Sequence, residues 1–283
     1  MSTEIYYFSG TGNSLHVAQE LQKRIPGAAL IPMVSLLDNE VVETQEETVG
    51  FVFPVHLTTL PVPVREFLEK LDPRSAKYIF AIVTREGSLC LANISMGKIL
   101  RGKGKSLDAY FILSMPINTP TGLKPTPGDK DWVDRISMEK VQALESDAQN
   151  RLDSIQRTIV NREPQDESSH LGPLLKRLIS ILMVPAEKSI ARGTIPYYAD
   201  SGCSGCGTCE KVCPSKKVKL VDGKPAWQKG IQCYHCYACF NFCPTQSILV
   251  GERYTKKDGR YSHPKITADD IARQKETLLT PSL

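Results

Sequence analysis

The sequence predicts an α/β protein in which a doubly wound parallel sheet is followed by a small α+β domain rich in cysteine. Two observations carry this prediction. Within residues 1–162, apolar and β-branched runs alternate with stretches of helical spacing, and such alternation is typical of right-handed crossovers that place helices on both faces of a parallel sheet. Of the nine cysteines, only Cys90 precedes residue 200, so the others indicate a separate C-terminal domain.

Five runs are typical of strands, and three of the stretches between them are typical of helices. The strands are expected at Ile5–Phe8, Ala29–Met33, Val49–Val55, Tyr78–Thr84 and Ala109–Met115, and the helices at Leu15–Leu21, Val62–Leu71 and roughly Leu89–Leu100. The segment between Pro32 and Thr48 is acidic and less clearly helical. From Asp131 to Arg162 apolar residues recur with a helical period, which predicts a long amphipathic helix that closes the sheet.

A linker is expected after this helix. Asn161–His170 is polar and contains a proline, as linkers often do. Leu171–Val184 is a second amphipathic stretch that ends at Pro185, and we expect it to pack between domains rather than lie on a membrane surface. The predicted division is therefore a sheet domain (1–162), a linker with an amphipathic helix (163–199), a cysteine-rich domain (200–252) and a tail (253–283).

The composition is that of an ordinary globular chain, with 41% hydrophobic and 23% charged residues among 283. The longest apolar run, Leu178–Pro185, is far shorter than the ~20 residues of a membrane span. Met1–Gly10 lacks the basic and apolar regions of a signal peptide, so we expect a cytoplasmic protein. The net charge of +4 is too small to indicate nucleic-acid binding.

The strongest signal is an internal repeat of cysteines. "CSGCGTCEKVCP" begins at Cys203 and "CYHCYACFNFCP" at Cys233, and each has the form C-x2-C-x2-C-x3-C-P. This spacing is that of bacterial-type iron–sulfur ligation. Zinc sites instead use cysteine pairs separated by longer gaps, and a disulfide scaffold is not expected in the cytoplasm.

Ser201–Val250 resembles the bacterial two-cluster ferredoxins, including a short apolar strand after each run ("KVKLV" and "SILV"). The resemblance implies two [4Fe-4S] clusters that carry single electrons at low potential. In such proteins the fourth cysteine of each run binds the other cluster. The implied ligands are Cys203, Cys206, Cys209 and Cys243 for one cluster, and Cys233, Cys236, Cys239 and Cys213 for the other.

A second motif, "SGTGNS" from Ser9 to Ser14, follows the first strand. It is not a Walker loop, because no lysine follows Gly12, and it fits a dinucleotide fingerprint poorly, because Leu15 stands where the third glycine belongs. A single phosphate held by hydroxyl, amide and backbone donors at a helix N-terminus fits better. A purely structural strand-to-helix turn remains the alternative. The cofactor-binding candidates of this loop are Ser9, Gly10, Thr11, Gly12, Asn13 and Ser14.

This loop resembles the [ST]-x-T-G-N-[ST] phosphate loop of flavodoxins. The resemblance implies FMN bound at the carboxyl ends of a five-stranded sheet of order 2-1-3-4-5. Later loops at that edge would complete the flavin site, although His56 and its neighbours stand where flavodoxins usually carry an aromatic residue. The further candidates are Pro54, Val55, His56, Leu57, Thr84, Arg85, Glu86 and Gly87.

Together the two halves resemble a family of flavodoxin–ferredoxin fusion proteins from anaerobic bacteria and archaea, including the tail stretch Gly259–Pro264. The resemblance implies FMN and two [4Fe-4S] clusters on one chain. Because these cofactors can exchange electrons with each other, we expect an electron carrier that serves soluble redox partners and has no catalytic residues of its own. An alternative is a flavoenzyme that reduces a quinone, a nitro compound or a metal centre, for which Glu86 and His56 are the titratable candidates. An acidic partner could dock on lysines near the first cysteine run, namely Lys211, Lys216, Lys217, Lys219, Lys224 and Lys229, although these could equally be an ordinary solvated face.

Overall fold

The computed structural model describes residues 2–56, 59–86, 90–116, 137–168, 178, 195–251 and 260–276. Several sequence predictions fall wholly or partly outside these ranges. They include Leu57, Gly87, the amphipathic stretch Leu171–Val184, Leu89 at the start of a predicted helix, the first residues of the predicted long helix, the end of the predicted linker Asn161–His170 and parts of the tail 253–283.

The N-terminal part is a six-stranded parallel sheet. The strands of this part are β1 (Thr3–Tyr7), β2 (Ala28–Pro32), β3 (Val42–Glu43), β4 (Thr48–Pro54), β5 (Leu71–Asp72), β6 (Tyr78–Arg85), β7 (Ala109–Ser114) and β8 (Gln165–Asp166). The main sheet has the order β2-β1-β4-β6-β7-β8, and β3 and β5 form a separate parallel pair. The five predicted strands are therefore present in the predicted 2-1-3-4-5 order, which is the flavodoxin-like arrangement. The expected five strands become six because β8, within the predicted linker, pairs in parallel with β7.

The helices of this part are α1 (Asn13–Arg24), α2 (Val62–Lys70), α3 (Ala92–Gly102) and α4 (Met138–Val160). Helix α1 packs against α4, and α2 packs against α3. Within the described residues α4 begins after Ser137, whose side chain accepts a hydrogen bond from the backbone N–H of Lys140 at 3.2 Å. Such a cap satisfies one of the free N–H groups of the first helical turn.

The core of the sheet lies along its central strands. Strands β4 and β6 are almost wholly buried, as expected for parallel strands covered on both faces. Gly50 of β4 makes room for a ring of β6, since a Cβ at Gly50 would lie 2.1 Å from Cζ of Phe80. The lack of a side chain at Gly50 therefore allows the Phe80 ring to pack against β4.

The cysteine-rich domain contains two copies of one structural unit. Its elements are β9 (Tyr197–Ala199), α5 (Thr208–Lys211), β10 (Val218–Val221), β11 (Lys224–Trp227), α6 (Ala238–Asn241) and β12 (Ile248–Val250). Each cysteine run contains a one-turn helix, which was not predicted, and is followed by a short strand, as predicted. The antiparallel partners of these strands, β11 for β10 and β9 for β12, were not predicted.

A C-terminal segment, defined here as residues 260–276, ends the described chain. It contains α7 (Ala268–Ala272), which begins with a capping box formed by Thr267 and Asp270. No helix among the described residues is both long and apolar enough to cross a membrane.

Candidate functional site

The eight cysteines of the repeat separate into two sets by their neighbours. Burial, together with the nearby thiols of Cys243 and Cys206, raises the pKa of Cys209 to about 11. Burial likewise raises the pKa of Cys236, and nearby Cys213 and Cys233 act in the same direction. The last cysteine of each run therefore lies beside the other run.

We call these groups the outer set and the inner set. The outer set is Cys203, Cys206, Cys209 and Cys243, and the inner set is Cys213, Cys233, Cys236 and Cys239. Cys206 of the outer set is exposed, whereas three members of the inner set are buried. A small cavity is lined by the whole inner set together with aromatic side chains that include Tyr197, Trp227 and Tyr234. The inner set is thus enclosed, while the outer set reaches the surface.

The backbone conformation is repeated in the two cysteine runs, as the cysteine spacing is. Positive φ angles occur in pairs thirty residues apart, at Gly205 and His235 (70° and 53°) and at Gly207 and Tyr237 (77° and 56°). The left-handed conformation costs a non-glycine residue about 1–2 kcal/mol, so the second repeat accepts strain that the first avoids. Residues with strained backbone angles are found preferentially at functional sites.

Several donors point at the sulfur atoms. The backbone N–H of Ser247 lies 3.3 Å from Sγ of Cys243 and that of His235 lies 3.5 Å from Sγ of Cys233. The Thr208 hydroxyl lies 3.4 Å from Sγ of Cys206. Hydrogen bonds to ligand sulfurs stabilise the thiolate form and tune the potential of a bound centre.

The glycine loop, Ser9–Ser14, lies at the carboxyl end of β1, as the sequence predicts, but its polar groups are already engaged. The Gly12 N–H donates to Oγ of Ser9 at 3.1 Å, and the hydroxyls of Ser14 and Thr84 are 2.7 Å apart. The Asn13 side chain donates to the Pro116 carbonyl at 2.9 Å. The side chains of Ser9, Thr11, Asn13 and Ser14 are all buried.

The C-terminal segment covers this loop. The His263 N–H donates to the Thr11 carbonyl at 2.8 Å, and the Tyr261 hydroxyl donates to Oδ1 of Asn13 at 2.9 Å. A Cβ at Gly12 would lie 2.8 Å from Cβ of Ile266. The cysteine-rich domain contributes as well, because a Cβ at Gly10 would lie 2.4 Å from the Cys236 carbonyl oxygen.

These contacts decide how well the loop fits a flavin phosphate. A phosphate at this loop needs inward-pointing donors and open backbone, since no basic side chain lies within Ser9–Ser14. The structure directs the Ser9, Asn13 and Ser14 side chains to protein partners and places Cys236 and Ile266 against the glycines. In this closed arrangement the residues do not fit the phosphate of FMN.

The other flavin candidates lie at the same sheet edge. Pro54 ends β4, the Val55 N–H donates to the Thr84 carbonyl at 3.0 Å, and the Arg85 carbonyl accepts from Met115 N–H at 2.8 Å. Glu86 forms an ion pair with Lys140 of α4, so it is not a free acid. Leu57 and Gly87 lie outside the described residues.

His56 is partly buried beside Phe8 of the sheet domain and His235 of the cysteine-rich domain. Its ring meets Phe8 edge-on at 6.0 Å, and its buried Nδ1 has no hydrogen-bond partner among the described residues. Burial, and secondarily the charge of His235, lowers the pKa of His56 to about 4. The ring is therefore neutral at physiological pH and belongs to the packed interface.

One cluster of titratable residues was missed by the sequence reasoning. His16 of α1, Glu145 of α4 and His263 present one ligand-type atom each within 4.8 Å of one another. Nothing in the local pattern of these residues distinguishes them from ordinary helix and loop positions, because the chain must fold before they meet.

The lysines near the first cysteine run are largely engaged within the protein. Lys219 pairs with Glu210 at 2.8 Å, Lys224 donates to the Cys203 carbonyl at 3.0 Å and Lys211 pairs with Asp269. Lys217 is buried and donates to the Gln228 carbonyl at 2.7 Å. Docking of an acidic partner on this face stays a prediction.

Comparison with known proteins identifies the C-terminal domain. The family model of the 4Fe-4S dicluster domain matches residues 202–248. Among curated proteins, none matches this chain. A solved structure, the rubredoxin oxygen:oxidoreductase from the anaerobe Desulfovibrio gigas, is similar over 57% of this chain and 36% of its own length, with 14% identity and a TM-score of 0.34. This chain therefore carries, C-terminal to a flavodoxin-like α/β sheet domain, a 4Fe-4S dicluster domain of the ferredoxin type.

Proposed function

We propose that this protein is an electron carrier that passes single electrons through two [4Fe-4S] clusters. The outer set of cysteines would hold one cluster and the inner set the other, with Cys213 and Cys243 exchanged between the runs. The observation that carries the proposal is that each of these two cysteines lies beside the opposite run. That crossing is typical of two-cluster ferredoxins.

The clustering of thiols supports the binding of metal. The whole inner set lines one small cavity, and in the outer set Cys243 lies beside Cys209. An array of buried thiolates is stable only when positive charge compensates it. Iron within a cluster supplies that charge, and a coordinated thiol loses its proton.

The two clusters would have different roles. The outer set includes the exposed Cys206, so the outer cluster is the point at which a soluble redox partner would exchange electrons. The inner set is enclosed, and Cys236 packs against Gly10 of the sheet domain. We propose that electrons enter or leave at the outer cluster and that the inner cluster serves the domain interface.

FMN is the further cofactor that the sequence resemblance implies. If bound at the glycine loop, it would exchange one or two electrons. Because the closed arrangement does not fit its phosphate, the proposed route of electrons ends at the inner cluster. The flavoenzyme alternative gains little support, since Glu86 is paired with Lys140 and the His56 ring packs against Phe8.

The test is anaerobic purification followed by iron, acid-labile sulfide and flavin assays per chain. We expect about eight irons and eight sulfides, from two four-iron clusters. Stepwise reduction followed by electron paramagnetic resonance should then show two interacting one-electron centres. Stoichiometric zinc, or a single four-iron cluster, would contradict the proposal.

A further inference from the structure

We propose that Lys217 supplies a buried positive charge that raises the reduction potential of the inner cluster. This inference rests on the proposed function, because it concerns the cluster that the inner set would hold. It goes further by giving a role to a buried side chain that is not a ligand. The consequence is that an electron arriving at the outer cluster can move inward to the enclosed one.

Lys217 lies in the wall of the cavity that the inner set lines. It follows Cys213, the last cysteine of the first run, by four positions, and only 8% of the residue is exposed. Burial raises the pKa of Cys233, whereas the His235 N–H and the charge of Lys217 lower it. The charge of Lys217 therefore acts on a thiol of the inner set.

The Lys217 ammonium is held by backbone carbonyls. It donates to the Gln228 carbonyl at 2.7 Å and to the Ile231 carbonyl at 2.5 Å, and the Gln228 N–H donates back to the Lys217 carbonyl at 2.9 Å. Within the part of the chain that the structure describes, no acidic side chain pairs with this ammonium. A buried cation without an acidic partner is costly, so the group held in the cavity is expected to supply the negative charge.

A four-iron cluster with four thiolate ligands meets this requirement. It carries net negative charge and gains a further negative charge on reduction, and both net charge and solvent exposure help to set its potential. Enclosure opposes the gain, because burial disfavours charge. A fixed positive charge in the wall offsets that penalty, and its effect is strong where water is excluded. Lys217 therefore makes the inner cluster easier to reduce than its enclosure alone would allow.

The internal repeat shows that the fold does not require a charge at this position. Thirty residues after Lys217 the equivalent residue is Ser247, which is also buried. The residues before them, Lys216 and Gln246, have matching positive φ angles of 58° and 53°. Ser247 donates its N–H to Sγ of Cys243 in the outer set, so the same backbone site carries a small neutral side chain there. The two sets thus differ by one buried positive charge at equivalent positions.

Other lysines near the two sets are closer to solvent. Lys275 lies near Cys213 but is only partly buried, and it donates to the Lys211 carbonyl at 2.5 Å. Lys224, which donates to the Cys203 carbonyl, is exposed. Water and salt screen charges at the surface. Lys217 is therefore expected to have the largest effect on the potential of a bound cluster.

Redox titration of the cluster-loaded protein, followed by electron paramagnetic resonance, tests this role. Lys217→Gln removes the charge and keeps a donor for the two carbonyls, whereas Lys217→Arg keeps the charge. Each is measured with both clusters present and in the Cys243→Ser background, where only the inner cluster is expected. Lys217→Gln should make reduction of the inner cluster at least about tenfold less favourable, a shift of about 59 mV to lower potential. Lys217→Arg should stay near the wild-type value.

Lys229→Gln is the matched control. Lys229 is exposed and lies between the two residues whose carbonyls bind Lys217, so its charge is screened and its loss should shift the potential much less. An unchanged inner potential in Lys217→Gln, or equal shifts in Lys217→Gln and Lys229→Gln, would overturn the inference.

Iron and sulfide assays cover the case in which Lys217→Gln does not hold the inner cluster. About four irons in Lys217→Gln and about eight in Lys217→Arg would support a required countercharge. Loss of the inner cluster from both variants would mean that the lysine side chain is needed for its shape, and this would overturn the inference. A wild-type protein without two clusters would instead contradict the electron-carrier proposal.

Discussion

The side-chain amide of Gln274 pairs with the backbone of Ser9 through two hydrogen bonds of 2.9 Å, as a neighbouring strand would. Both residues are buried, and Gln274 has no exposed surface. The pair joins the last described helix turn of the chain to the glycine loop after β1. The cysteine-rich domain, which lies between them in sequence, is thereby fixed against the sheet domain.

Replacement of Gln274 by alanine is expected to destabilise the protein. It removes both hydrogen bonds and leaves the buried Ser9 N–H without its partner, a loss of about 1–3 kcal/mol in the free energy of unfolding. Denaturant unfolding under anaerobic conditions measures this difference. Gln45→Ala, at an exposed position, is the matched control and should change stability by less than about 0.5 kcal/mol. Equal effects of the two substitutions would show that the pair contributes nothing.

Acid should loosen the C-terminal segment. Burial lowers the pKa of His263 below its ordinary value, and nearby His16 and Lys265 act in the same direction, while Glu145 opposes them. The folded state therefore disfavours protonation of His263. The contribution of the neutral ring to the free energy of unfolding is complete above about pH 6.5 and is lost as the pH falls below that value. His56, with a pKa of about 4, contributes over the same window.

Unfolding free energies measured between pH 7.5 and 5.5 test this expectation. Each proton taken up only on unfolding contributes a slope of at most about 1.4 kcal/mol per pH unit. His263→Asn should flatten part of the slope and leave the part that His56 causes. A wild-type stability that rises on acidification in this range would be the opposite sign and would refute the assignment.

The crossed arrangement of cysteines predicts which cluster each substitution removes. Cys243→Ser should lose the outer cluster and Cys213→Ser the inner one, each with a loss of about four irons per chain. The remaining cluster should give the signal of an isolated centre on reduction. Cys90→Ser is the control, because Cys90 is buried against the Tyr110 hydroxyl at 2.8 Å and far from either run in sequence. If Cys213→Ser left the same residual spectrum as Cys203→Ser instead of that of Cys233→Ser, the exchange between runs would be wrong.

The sequence could predict features whose cause is local. Strand positions followed from continuous apolar runs such as that of β6, which parallel strands require. The strand order followed from the resemblance of the glycine loop to that of flavodoxins, and the dicluster domain followed from cysteine spacing. The strained backbone at His235 and Tyr237 could have been inferred from Gly205 and Gly207 in the first repeat, because equivalent positions of a repeat share a conformation.

Other features depend on contacts that leave no local trace. The pairing of Ser9 with Gln274 joins residues 265 positions apart, and the cluster of His16, Glu145 and His263 joins three separate regions of the chain. The two-residue strand β8 is too short to show any period in sequence. A phosphate-loop pattern therefore identified where Ser9–Ser14 would lie, but not which group would lie against it.

Gly10 offers the sharpest steric test of the contact between domains. Its φ is not positive, so alanine is allowed by the backbone, but the new Cβ would lie 2.4 Å from the Cys236 carbonyl oxygen and 2.9 Å from Cβ of Cys236. Because backbone cannot move aside as a flexible side chain can, Gly10→Ala should cost about 1–3 kcal/mol or more. It should also speed amide exchange at Ser9, whose N–H bonds to Gln274 across the same contact. Gly102→Ala, where a new Cβ meets nothing within 4 Å, is the control. Retention of wild-type stability and Ser9 protection in Gly10→Ala would mean that the cysteine-rich domain does not rest on the glycine loop in solution.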